Sequence, residues 1–203
     1  MAQQVLQEYK SRRNRACLVQ TEDGRFVVKE FREEAAFQKE LQIYRLLNGQ
    51  LPCAKVIREA DQTLTLTWLP GQTLVECLQQ QEQAGVPVWK VWETLVAWLV
   101  AFWECTGYVM TDVNLRNFLY DGQTNTLYGL DFEECSAGDM VSCAAALAAH
   151  IRLYAPENTL FKQEIAQYVL QLFARSCRLD ADRLLQKSKE QEVYLQNRRK
   201  NRI

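Results

Sequence analysis

TDVNLRNFL at residues 111–119 and YGLDFE at residues 128–133 are the two short polar segments that indicate the fold of this chain. Asp112 and Asn117 are five residues apart, and Asp131 follows Asn117 after fourteen. An Asp-Gly pair between the segments predicts a hairpin with strands at 118–120 and 127–130. That hairpin would bring both loops to one end, where the three polar side chains could converge.

Such a convergence would suit a hard cation, because Mg²⁺ usually takes one or two protein carboxylates together with phosphate oxygens. Asp112 would then be left free to receive a proton from a hydroxyl nucleophile. The alternative is two ordinary loop aspartates beside a hairpin.

The order of an Asp, four residues, an Asn and then Asp-Phe-x resembles the catalytic loop and metal-binding motif of the protein-kinase-like phosphotransferases. The Asp-Phe-Glu form resembles the small-molecule branch of aminoglycoside, choline and lipopolysaccharide kinases, and the compact, basic-tailed RIO-type kinases stay open. The resemblance implies an α+β, two-lobed protein-kinase-like fold. Residues 1–70 would form a small β-rich nucleotide lobe, and residues 71–203 would form a compact helical lobe.

The resemblance also implies roles and cofactors. Asp112 would be the catalytic residue, and Asn117 and Asp131 would be the metal ligands. The cofactors would be ATP and Mg²⁺. The γ-phosphoryl group would pass to a hydroxyl of a small molecule or a protein.

The segment at 25–31 is rich in β-branched and aromatic residues and predicts a strand, and apolar spacing over 33–47 predicts a helix. In the family that this order resembles, a strand lysine reaches the α- and β-phosphates and a helix glutamate orients it. Lys29 and Glu40 match those positions. Glu33 and Glu34 remain alternatives for the glutamate, and a solvent-facing strand lysine is the alternative for Lys29.

Two further segments would contact the nucleotide. The loop at 11–15 has no glycine, so Arg13 and Arg15 would bring charge to the phosphates; a solvated basic loop is an equal alternative. Trp68 and Leu69 precede a Pro-Gly pair and resemble a hinge whose backbone binds adenine. A bare turn predicts the same pair.

Composition excludes several classes of function. The chain has 203 residues, 48% apolar content and a net charge of -1, which gives no global attraction to nucleic acid or membrane. Seven scattered cysteines without a Cys-x-x-Cys pair favour reduced thiols and a cytoplasmic location. The first residues have no apolar signal segment, and charges interrupt the apolar stretch 88–103, so no membrane span is expected. His150 is the only histidine, which excludes a multi-histidine metal site.

Three features leave alternatives open. The basic tail at 197–202 is compatible with an RNA partner, but we favour a helix end that is exposed to solvent. Arg116 could contact the transferred phosphate, but we favour a side chain that faces solvent. Met110 and Thr111 stand before Asp112, where the family usually has a His followed by Gly or Arg. A pseudokinase that binds nucleotide, or that acts as a scaffold, is therefore the alternative function.

Overall fold

A computed structural model of the chain describes residues 4–9 and 13–200. The loop residues Ser11 and Arg12 and the tail residues 201–202 named above lie outside the described part. The first third of the chain forms a five-stranded antiparallel sheet in the order β1-β2-β3-β5-β4, with helix α1 between β3 and β4. These elements are β1 Gln4–Tyr9, β2 Arg15–Thr21, β3 Gly24–Glu30, α1 Glu34–Leu47, β4 Val56–Ala60 and β5 Thr63–Thr67.

The rest of the chain is mainly helical. It holds two small sheets, one in the order β6-β8-β9 and one that pairs β7 with β10, and a 3₁₀ turn at Leu115–Asn117. The strands are β6 Gln72–Thr73, β7 Tyr108–Met110, β8 Phe118–Asp121, β9 Thr126–Gly129 and β10 Cys135–Ala137. The helices are α2 Leu74–Ala84, α3 Trp89–Thr106, α4 Met140–Leu153, α5 Leu160–Cys177 and α6 Ala181–Lys200. The α+β fold class predicted from the sequence is confirmed.

Side-chain periodicity accounts for most of these elements. In β5 the leucines are buried and the threonines are half-buried, so one face of the strand covers the core. Helix α1 buries the apolar stripe that predicted it and ends where Asn48 adopts the left-handed conformation. The hairpin formed by β8 and β9 is also confirmed, with Asp121 opposite Thr126 at its closed end.

Two boundaries differ from the sequence prediction. The fourth strand begins at Val56 rather than at Pro52, whose carbonyl instead accepts a hydrogen bond of 3.0 Å from the Trp98 indole. Helix α5 begins at Leu160 rather than at Pro156, because the Thr159 hydroxyl caps it by accepting the amide of Lys162.

The passage between the two parts of the chain requires a glycine. Gly71 has φ +111°, and a Cβ there would lie 2.7 Å from the carbonyl oxygen of Tyr120 on β8. The short strand β6 can therefore pair with β8 directly after the turn. None of the described helices is long and apolar enough to cross a bilayer.

A buried ion pair holds α5 to α2. The Lys162 side chain is fully buried, and its ammonium donates to Glu82 and, over 2.9 Å, to the carbonyl of Pro156. Thr159 donates to the same carboxylate. The ammonium therefore has partners that replace the water it loses on burial.

Replacing Lys162 with alanine should destabilise the fold by about 3 kcal/mol, because the Glu82 carboxylate would lose its cation. Urea unfolding followed by circular dichroism measures this change. Lys90→Ala is the control, since this lysine is 62% exposed and its pair with Glu93 spans 3.7 Å. It should cost less than about 0.5 kcal/mol. Equal losses in both variants would contradict the structural role of the buried pair.

Candidate active site

The β8–β9 hairpin carries the two polar loops to the same cleft. The amide of Leu130 donates to the carbonyl of Asn117 over 2.8 Å, which ties the end of β9 to the 3₁₀ turn. The Asn117 carboxamide donates to the backbone carbonyl of Asp112 over 3.0 Å. Among residues 4–9 and 13–200, no hydrogen bond to the side-chain oxygen of Asn117 is found. Asp112, Asn117 and Asp131 all line this cleft of about 750 Å³.

The Lys29 ammonium lies at the centre of an acidic cluster. It is 2.6 Å from a carboxylate oxygen of Glu40 on α1 and 2.5 Å from one of Asp131. Glu133 lies 3.6 Å away, so one cation faces three carboxylates. Ligand oxygens of these carboxylates all lie within 4.8 Å of one another. Glu33 and Glu34, the other candidate partners of the lysine, form no ion pair with it.

Burial and the neighbouring charges together shift the pKa of Glu40 and of Lys29. Burial raises the pKa of Glu40 to about 7, and the nearby Asp131 and Glu133 add to the shift against the opposing effect of Lys29. Burial alone would lower the pKa of Lys29, but Glu40 and Asp131 outweigh it and raise that pKa. The surplus negative charge marks a place where a further cation would be stabilised.

Asp131 is held in place by its neighbour Phe132. The Phe132 ring is fully buried and stacks on Phe102 at 5.6 Å, and it meets Tyr44 of α1 edge-on at 5.2 Å. Asp131 itself has φ 59°, a left-handed conformation that aspartate adopts more readily than most residues. The aromatic anchor thus fixes a turn that presents the Asp131 carboxylate to the cleft.

The two arginines predicted to reach the phosphates lie in different places. Arg13 lines the cleft and pairs with Glu134 and, over 3.8 Å, with Glu133. Arg15 lies on β2, where it pairs with Glu8 at 2.9 Å and Glu30 at 3.9 Å. Only Arg13 therefore lies beside the loops that carry Asp112 and Asp131.

The predicted hinge lies between the sheet and the helical part. Trp68 and Leu69 follow β5 directly and have no regular secondary structure. The Trp68 ring is partly exposed and packs under the guanidinium of Arg25 at 5.7 Å. Trp68 and Leu69 therefore lie in the segment that connects the two parts of the fold.

Three further features of the cleft were missed by the sequence interpretation. Glu133 accepts a hydrogen bond from the buried Asn14, so it joins the glycine-free loop to the segment after Asp131. His150, interpreted as an ordinary helix residue, lies 3.8 Å from the Asp112 carboxylate. Arg198 and Arg199 of the basic tail line the same cleft. Glu133 had a sequence signal as the third residue of the Asp-Phe-Glu motif, and the basic run at 197–202 was noted without a link to the cleft, whereas no sequence signal placed His150 beside Asp112.

Comparisons with known proteins agree with this architecture. Residues 6–86 match a family described as the phosphotransferase enzyme family. The fold is similar to that of the kinase PK-1 of the Cydia pomonella granulovirus, with a TM-score of 0.56 and 18% identity. The match covers 66% of this chain and 55% of the viral kinase, so the chain spans about half of that protein. No curated protein matches the sequence. The predicted resemblance to protein-kinase-like phosphotransferases is confirmed.

Gly129 should tolerate no side chain, because a Cβ there would lie 2.2 Å from the Trp98 ring. Gly129→Ala should destabilise the protein by about 2 kcal/mol through overpacking of the aromatic core that anchors Phe132. Gly122→Ala is the matched control, since its Cβ would meet only Tyr120 at 3.8 Å. Thermal unfolding of both variants tests this, and an unchanged midpoint for Gly129→Ala would contradict it.

The raised pKa of Glu40 predicts a pH dependence of folding. Between the ordinary value of 4.5 and about 7, the folded protein holds a proton on Glu40 that the unfolded chain has released. This group's contribution to stability is therefore largest at low pH and falls as the pH rises through that window. Glu40→Gln cannot titrate, so the unfolding free energy of the wild type minus that of the variant should decrease from pH 5 to pH 7. An increase would show that the Glu40 pKa is lowered instead.

Proposed function

We propose that this chain, which has the protein-kinase-like phosphotransferase fold, transfers the γ-phosphoryl group of ATP to a hydroxyl group in a Mg²⁺-dependent reaction. One observation carries the proposal. The Lys29 ammonium pairs with Glu40 and Asp131, and Asp131 lines the same cleft as Asp112 and Asn117. Phosphate binding, cation binding and proton acceptance are thus available side by side.

Asp112 acts as the proton acceptor. The acceptor's hydroxyl oxygen bonds to the γ-phosphorus as the bond from that phosphorus to the β–γ bridging oxygen breaks. ADP leaves with the electron pair of that bond, and the hydroxyl proton passes to the Asp112 carboxylate. The half-exposed carboxylate of Asp112 suits this role, because an incoming hydroxyl can reach it from the cleft.

The oxygen ligands fit Mg²⁺. Asp131 and Asn117 would hold the ion, and Glu133 lies close enough to Asp131 to share it. When bound, Mg²⁺ would neutralise charge on the β- and γ-phosphates. The three carboxylates around one ammonium support this assignment, because their surplus negative charge favours a second cation.

The other proposed nucleotide contacts are assigned from the places of the residues in the fold. Lys29, oriented by Glu40, steadies the α- and β-phosphates, and Arg13 contributes charge from the glycine-free loop. Backbone groups at Trp68 and Leu69 bind adenine at the connection between the two lobes, residues 1–70 and 71–203. Arg15 has no part in this site, because it pairs with Glu8 and Glu30 on the sheet.

Removing the proton acceptor should stop transfer but not nucleotide binding. Asp112→Asn should lower the turnover number by about 10²–10⁴-fold. ADP release with a panel of small hydroxyl compounds measures turnover, and a thermal shift with Mg·ATP measures binding. Asp23→Asn, in the exposed β2–β3 turn, is the control and should behave as the wild type. Normal turnover in Asp112→Asn would refute the assigned role.

Asp131→Ala should differ from that variant by weakening Mg·ATP binding as well, because it removes a metal ligand. The stabilisation by Mg·ATP should fall while the effect of Mg²⁺-free ATP changes less. A full Mg·ATP shift in this variant would contradict the assignment of Asp131 as a ligand.

A second candidate is a pseudokinase that binds nucleotide or acts as a scaffold. It is favoured by the loop contacts, since Asn14 and Arg13 already engage Glu133 and Glu134. It predicts no ADP release with any acceptor. A Mg·ATP thermal shift would then indicate a nucleotide-binding module, and no shift would indicate a scaffold.

A further inference from the structure

The last helix reaches the proposed active site because it packs along α4. Arg152 of α4 donates to Glu192 of α6 over 2.8 Å and to the buried Ser188 over 2.9 Å. One turn further on, Leu195 packs against Ala149 and Leu153. These contacts fix the register of the two helices, so the basic end of α6 lies over the C-terminal half of α4.

The final contact is made by Arg199. Its guanidinium donates to the carbonyl of Leu153 over 2.8 Å and to Glu157 over 2.7 Å. Arg198, the preceding residue, therefore has a defined place at the rim of the cleft lined by Asp112 and His150. The basic run is thus part of a cleft wall rather than only a solvated helix end.

A second guanidinium faces this cleft from the catalytic loop. Arg116 lies above the ring of Tyr154 at 5.8 Å, and the Tyr154 hydroxyl donates to Asn114. Within residues 4–9 and 13–200, neither Arg116 nor Arg198 forms a salt bridge with a carboxylate. Both are exposed, whereas the other two cleft arginines, Arg13 and Arg199, are neutralised by glutamates.

The lining of the cleft thus includes an acidic group and a basic group. The acidic group contains Asp131 and Glu133, which we assign to Mg²⁺ and the nucleotide phosphates. The basic group is associated with Asp112, because His150 lies 3.8 Å from the Asp112 carboxylate and the arginines of α6 line the same cleft. Burial lowers the pKa of His150, and Arg199 and Arg198 lower it further against the effect of Asp112, so the arginines of α6 are near enough to His150 to interact with it.

We infer that the acceptor is a small alcohol that carries a phosphate group, which Arg116 and Arg198 bind while its free hydroxyl faces Asp112. The inference rests on the proposed function and adds the substrate class. Guanidinium groups match the geometry of phosphate oxygens, and a phosphate monoester carries close to two negative charges, one for each arginine. A cleft of about 750 Å³ is in the range of small-molecule sites, roughly 300–1,000 Å³.

The reaction then yields a doubly phosphorylated product. The free hydroxyl oxygen gains the γ-phosphoryl group of ATP, its proton passes to Asp112, and ADP leaves. The phosphate already on the acceptor takes no part in the bond changes. It serves to position the hydroxyl, which is the contribution that a remote charged group makes to catalysis.

Inorganic phosphate is the probe, added to the full chain that has been saturated with Mg·ADP so that the nucleotide phosphate sites are filled. Phosphate should raise the unfolding temperature further, and sodium chloride at equal ionic strength should not. Arg198→Gln and Arg116→Gln should each weaken the phosphate effect by about tenfold or more, since each removes a charge-assisted contact. Arg183→Gln, at the opposite end of α6, is the matched control and should respond as the wild type.

Turnover gives an independent readout. Glycerol 3-phosphate and sugar monophosphates should support ADP release at lower concentrations than glycerol and the free sugars, and Arg198→Gln should remove this advantage mainly through KM. Failure of Mg·ADP to bind would refute the proposed function itself. Binding of Mg·ADP without any further effect of phosphate would refute only the phosphate subsite. Binding of a short RNA without an effect of phosphate, or equal responses of the wild type and Arg198→Gln, would also overturn it.

Discussion

The charge on one buried lysine is the constraint on which the arrangement of the cleft depends. The Lys29 ammonium can leave water only because Glu40, Asp131 and Glu133 surround it. These partners come from helix α1 and from the segment that follows the hairpin, so the ion pairs tie the sheet to the helical part of the chain. These three carboxylates together carry more negative charge than one ammonium can neutralise, so a second cation would be stabilised beside them. Structural and chemical roles therefore depend on the same few atoms.

Packing of the Phe132 ring fixes the orientation of the two neighbouring carboxylates, which the ion pairs alone would not do. Phe132 lies between Tyr44 of α1 and the stacked rings of α3, and it is adjacent to both Asp131 and Glu133. A carboxylate on a flexible loop would spend little time near the lysine, whereas a buried ring fixes the backbone from which it projects. Gly129 permits this arrangement because the Trp98 ring occupies the space of its missing side chain.

The departures from the resembled family have structural counterparts. The loop before β2 contains no glycine, and its described residues approach the site with side chains: Asn14 donates to Glu133, and Arg13 pairs with Glu134. In place of the usual residues before Asp112, Thr111 donates its hydroxyl to the carbonyl of Glu134. Polar side chains thus brace the two loops against each other, in positions where a glycine loop would offer only backbone amides.

The sequence by itself determined the strands of the first sheet, the main helices, the β8–β9 hairpin and the order of Lys29, Glu40, Asp112, Asn117 and Asp131, whereas the short strands β6, β7 and β10 were not predicted. The predicted features depend on local periodicity and turn chemistry, which act over a few residues. Only the tertiary structure decided that Arg15 points away from the cleft, that His150 stands beside Asp112 and that α6 brings Arg198 to the rim. The reason is physical: the register of α6 on α4 comes from several weak contacts between residues some forty positions apart, such as Arg152 with Glu192. No pattern within a few residues of the sequence predicts the combined effect of these contacts.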